Sequence, residues 1–165
     1  MKAQSLSTIK KELKLQSQDD LIQLCLRLGR FKKENKELLS YLLFEAYDED
    51  GYIASIEETL DEAFENINRD SYFYIKKSIR KILRQIKTYS RYSNNKTTEI
   101  ELLLYFCRKL HNFTPSVFDN VALTNLYNRQ IVSIKKKITV LHDDLQHDYM
   151  LELEELPEAH INSKS

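Results

Sequence analysis

Only two glycines and two prolines interrupt these 165 residues. Glycine supplies the left-handed backbone of tight hairpins, phosphate-cradling loops and sheet corners, so a chain this poor in it has few routes to a β-rich or nucleotide-loop fold. Helix remains, and apolar residues recur at the helical period through nearly the whole chain. The expected fold is all-α: roughly seven antiparallel helices in a helical array or short α-α superhelix, with a compact bundle as the alternative. Residues 1–156 are expected to form a single domain, and residues 157–165 a flexible polar tail.

The segments can be placed from periodicity and capping residues. A first helix runs from about Leu6 to Leu15, with Leu6, Ile9 and Leu13 on one face. Ser17 and Asp19 offer caps to a second, Asp20 to Phe31, whose apolar stripe is Leu21, Leu24, Cys25 and Leu28 and whose end is marked by Gly29. The third spans Lys33 to Tyr47. The fourth spans Ile53 to Asn68 and buries Ile56, Leu60, Phe64 and Ile67. Asp70 or Ser71 opens a fifth, Tyr72 to Tyr92. After the break Ser93 to Lys96, Thr97 or Thr98 opens a sixth that ends near His111.

The last helical stretch is expected to start at Pro115, capped by Thr114 and stapled by Phe113 and Phe118, and to reach about Leu153 with a break or kink near Asn128. Within it Tyr127, Ile131, Ile134, Ile138, Leu141 and Leu145 alternate in steps of four and three, the spacing of a coiled-coil seam.

One internal similarity is visible. ELLSY at Glu37 to Tyr41 and ELLLY at Glu101 to Tyr105 both lie in the middle helix of a three-helix stretch, 64 positions apart. Both helices are apolar on more than one side, the pattern of central helices covered by neighbours. The arrangement resembles HEAT-like helical repeats, and that resemblance implies stacked helical units.

Charged residues make up 30% of the chain, hydrophobic residues 42%, and the net charge is zero, so the composition is that of a folded soluble protein with no large overall field. Cys25 and Cys107 each occupy an apolar helical position and are expected to be reduced core thiols. No apolar run follows the first basic residues and none is long enough to span a bilayer, so no secretory leader, no membrane contact and a cytoplasmic location are expected.

Three stretches could carry chemistry. YDEDGYIASIEE, Tyr47 to Glu58, approaches a calcium loop when aligned on Gly51. Asp48, Asp50 and Glu57 then take the third, fifth and twelfth ligand positions, but the first falls on Ala46, which has no side-chain oxygen. The expected role is an acidic interhelical turn, with Gly51 in the left-handed conformation. In HDDLQHD, Asp143 and His147 lie one helical turn apart and form a second, weak metal-ligand pair.

The third is a separation of charge. Between Glu45 and Asp70 there are ten acids and one base; between Ser71 and Lys96 there are eight bases and no acid. Lys77, Arg80, Arg84, Lys87 and Arg91 step by three or four and form one basic stripe, with Tyr89 and Tyr92 beside its end. The acidic fourth helix could neutralise it, or the acidic segment Glu152, Glu154, Glu155 and Glu158 could cover it. Left open, such a stripe suits an acidic protein surface or a nucleic-acid backbone.

No nucleophile turn and no cofactor loop is present, so no cofactor is expected and an enzyme is the weaker reading. The function expected is a non-enzymatic helical interaction module acting through the basic helix, about residues 76–91. The alternative is a structural protein, possible as a homodimer, that self-associates through the seam 127–145.

Overall fold

The computed structural model describes residues 1–156, and every regular element among them is helical. The expected tail at 157–165 lies outside the described residues. Eight α-helices are joined by a π-helical turn and a 3-10 turn, and they divide into two compact units, one from Met1 to Glu45 and one beginning at Ala46.

The first unit holds α1 (Leu6–Leu13), α2 (Gln18–Phe31), α3 (Lys33–Ser40) and the π turn Tyr41–Glu45. The Ser17 hydroxyl caps α2 by accepting from the Asp20 amide at 3.1 Å, and Asp19 and Asp20 suit the positive end of its dipole. A single extended residue, Lys32, separates α2 from α3. Asn35 reaches back to donate to the Leu28 carbonyl at 2.8 Å, satisfying an acceptor that the end of α2 would otherwise leave open.

Gly29 does not end α2 in a left-handed turn, since no glycine has positive φ. It sits inside α2, where a Cβ would lie 3.0 Å from Leu39 Cδ1, so glycine serves the close crossing of α2 and α3. Tyr41 alone is buried in this unit. Cys25, expected in a core, is exposed, as are Leu24, Leu28, Leu42, Leu43 and Phe44. The expectation of a third helix covered on several sides therefore fails. Within the unit only α2 packs along α3, and one neighbour covers one face.

The second unit holds α4 (Glu49–Glu65), α5 (Tyr72–Ser93), α6 (Lys96–His111), the 3-10 turn Val117–Asp119, α7 (Val121–Ile138) and α8 (Asp143–Glu154). Helix α6 packs against α4, α5 and α7. Its Leu102, Leu103, Leu104, Phe106 and Cys107 are all 2% exposed or less, which makes it the central helix the sequence pattern implied. Burial pushes the Cys107 thiol up to about 12, so it stays protonated and inert.

The region after Phe113 departs from expectation. Thr114 is not a cap, and the peptide bond before Pro115 is cis. Ser116 caps the 3-10 turn and Asn120 caps α7, accepting from the Leu123 amide at 3.2 Å. The Phe113 ring packs on Phe64 and the Phe118 ring on Tyr127, so the rings anchor to different partners instead of stapling one cap. The helix runs unbroken through Asn128 and breaks at Thr139, where Gln146 donates to the carbonyls of Leu141 at 2.7 Å and Thr139 at 3.3 Å. The helical seam is internal: Tyr127, Ile131, Ile134 and Ile138 are at most 1% exposed, while Leu145, beyond the break, keeps 40%.

Candidate functional site

The calcium-like stretch folds as the start of α4, not as a loop around an ion. Asp48 is the N-cap, its carboxylate accepting from the Gly51 amide at 3.0 Å. Gly51 is helical, not left-handed; a Cβ there would collide with the Asp48 carboxylate, so the glycine makes room for the cap. Glu49 accepts from the Ser93 hydroxyl and, at 2.5 Å, from buried Thr98, tying α4 to the start of α6. Asp50 and Glu57 are seven residues apart on one helix, about 10 Å along its axis. That is too far for two ligands of one ion at 2.3–2.6 Å, so Asp48, Asp50 and Glu57 are not brought together.

Asp143 and His147 share the exposed side of α8, and no third His, Cys, Asp or Glu joins them in a metal-sized group among the described residues.

Glu57 instead lines a polar cavity of about 280 Å³ with Glu101, Arg108, Asp148, Tyr149 and Glu152. Burial holds the Glu57 carboxyl above its ordinary range, against the pull of Arg108. The Tyr149 hydroxyl donates to Glu101 at 2.6 Å, and Arg108 meets Glu152 at 3.4 Å, so much of this cavity's polarity is spent holding α8 to α6. Among the described residues no serine, cysteine or histidine lines it. One helical turn on, Asp61 accepts from Tyr105 at 2.5 Å and pairs with Lys109 at 2.8 Å. The hydrogen bond from Lys109, then that from Tyr105, holds its carboxyl below the ordinary range.

These pairings decide how the acidic helix is used. The α4 ion pair of Asp61 runs to Lys109 on α6, and among the described residues no ion pair joins α4 to α5. Helix α5 buries Ile75, Ile79, Ile82, Leu83, Ile86 and Ser90 and turns its cations outward. Lys77, Arg80, Lys81, Arg84, Lys87 and Arg91 are all exposed, and none has an ion-pair partner among the described residues. The second basic run differs: Lys137 pairs with Glu99 at 3.0 Å, and Lys135 is also engaged. The acidic end of α8 is committed in part, through Glu152, to Arg108, while Glu158 lies outside the described residues.

Tyr89 and Tyr92, expected beside the stripe, are half-buried and pack edge-on against each other, and the Tyr89 carbonyl accepts from Tyr52 at 2.9 Å. The freer aromatics stand at the other end. Phe73 is 67% and Tyr74 46% exposed, in edge contact at 5.4 Å. Phe73 precedes Lys77 by four residues and Arg80 by seven, which aligns it with the stripe. That spacing was readable from the sequence, as was Lys81 on the flank; burial alone tells which aromatics remain available. From Lys77 to Arg91 the cations cover about 21 Å of helix axis.

No described helix is long and apolar enough to cross a membrane. No family model, curated protein or solved structure matches the chain. Fold and site together define an all-α protein in which the exposed cations of α5 form a basic helix face with no ion-pair partner among the described residues.

Proposed function

We propose that this protein is a non-enzymatic interaction module that binds the backbone of a single-stranded nucleic acid along the exposed face of α5. The observation that carries the reading is the set of six exposed α5 cations with no ion-pair partner among the described residues. Holding like charges at successive helical turns costs self-repulsion, which an anionic strand relieves while releasing its counterions. The Phe73–Tyr74 pair favours a nucleic acid over an acidic protein surface, because an unstacked base can lie on an exposed ring in line with the phosphate contacts. Burial of the 127–131–134–138 seam weighs against self-association through it.

The test is fluorescence anisotropy with labelled oligo-uridylate and oligo-thymidylate at about 50 mM salt. The double substitution Arg80→Glu/Arg84→Glu should abolish binding with the circular dichroism spectrum unchanged. Phe73→Ala should weaken it by about tenfold, the loss of one stacked base. Binding of polyglutamate but of neither oligonucleotide, with the same sensitivity to charge reversal, would replace the nucleic acid by an acidic protein.

A further inference from the structure

The first unit leaves an apolar groove open. It has a volume of about 640 Å³, and its apolar lining comes from Leu26 on α2, Leu39 on α3, and Leu43 and Phe44 on the π turn. Leu26, Leu43 and Phe44 are 44%, 68% and 64% exposed, so the groove presents unsatisfied apolar surface. Its rim is basic: Arg30, Lys32, Lys33 and Lys36 line it, and among the described residues no acidic residue does. Lys33 is already paired with Glu37 at 3.2 Å, while Arg30, Lys32 and Lys36 have no ion-pair partner among the described residues.

We propose that this groove is a docking site for an acidic amphipathic helix supplied by another protein. The α2–α3 crossing at Gly29 and the widened π turn make the surface concave, and a helix ridge with apolar residues at i, i+3, i+4 and i+7 is the shape that fills such a groove. The charge selects among occupants. A second copy of the unit would bring the same excess of nine bases over six acids, so like would face like. A flat anionic bilayer matches the charge but not the concavity. A helix with leucines on one side and glutamates flanking them satisfies both, with its acids opposite Arg30, Lys32 and Lys36.

The test uses a fluorescein-labelled peptide of about 15 residues with leucine at i, i+3, i+4, i+7 and i+11 and glutamate elsewhere. Anisotropy with the full chain should show saturable binding. Leu43→Ser/Phe44→Ser and Lys32→Glu/Lys36→Glu should each weaken it by about tenfold or more. All four residues are exposed, and an unchanged circular dichroism spectrum confirms that the fold survives. Arg80→Glu/Arg84→Glu should leave it unchanged, which separates this site from the α5 face. Equal binding of a scrambled peptide, insensitivity to the groove substitutions, loss on α5 charge reversal, or preference for phosphatidylserine vesicles over the peptide would overturn the proposal.

Discussion

The nearly identical pentapeptides ELLSY, closing α3 and opening the π turn, and ELLLY, within α6, set their first leucines in opposite environments. Leu102 of α6 is fully buried, whereas Leu38, its counterpart in α3, is 36% exposed. The difference lies in the neighbours. Helix α6 is packed by α4, α5 and α7, while α3 has α2 along one side and then opens into the π turn. A leucine cluster supplies the means for burial, but the number of helices around it decides whether burial happens. The same contrast separates the two kinds of surface. The second unit packs a continuous core inside and offers charge beside the exposed Phe73 and Tyr74; the first offers apolar groove and charge together.

The sharpest way to break this comparison is a matched pair of truncations. Leu102→Ala should cost about 2–5 kcal/mol in chemical denaturation, the loss for a fully buried leucine, while Leu38→Ala should cost under about 1 kcal/mol. Equal losses would mean that α3 is as central as α6. The next effect sharpens it through the helix caps. Asp48→Ala should lower the stability of the second unit by about 1 kcal/mol. Ser17→Ala should leave that midpoint in place and appear only as faster amide exchange along α2, because α2 itself has no buried residue.

The smallest effects distinguish acids on α4. Glu57 has its folded pKa raised by burial, so its contribution is full below the ordinary glutamate range and lost as pH rises through the folded value. Glu57→Gln should therefore raise Tm slightly at neutral pH, and the gain should vanish below about pH 4. Asp61 has its folded pKa lowered, so its contribution is present above the ordinary aspartate range and lost as pH falls through the folded value. Asp61→Asn should lower Tm at neutral pH and flatten the acid limb of the stability profile.

Much of the helical architecture is legible in the sequence, because helical periodicity and the scarcity of glycine leave little else. The central position of α6 is legible too, since Leu102 to Cys107 are apolar all round. The exposure of the first unit is not. Leu21, Leu24 and Leu28 form the stripe of any amphipathic helix, and no local pattern tells whether another element will cover it. Both glycines mislead for one reason: each is needed for space, at the Leu39 contact and at the Asp48 cap, and neither for positive φ. The left-handed residue at the end of α5 is Asn94, with φ 54°. The basic stripe is readable from its spacing, but its lack of ion-pair partners among the described residues depends on where the acids of α4 point, and Asp61 points to Lys109.

The central claim is that α5 follows an anionic strand, and the most direct measurement is the salt dependence of oligonucleotide binding. If about five of the exposed cations neutralise phosphates, the logarithm of the association constant should fall against the logarithm of salt concentration with a slope near −3.5 for a single strand. Arg80→Glu/Arg84→Glu should remove the binding. Absence of binding at about 50 mM salt, or binding that survives the charge reversal with an unchanged slope, would contradict the account.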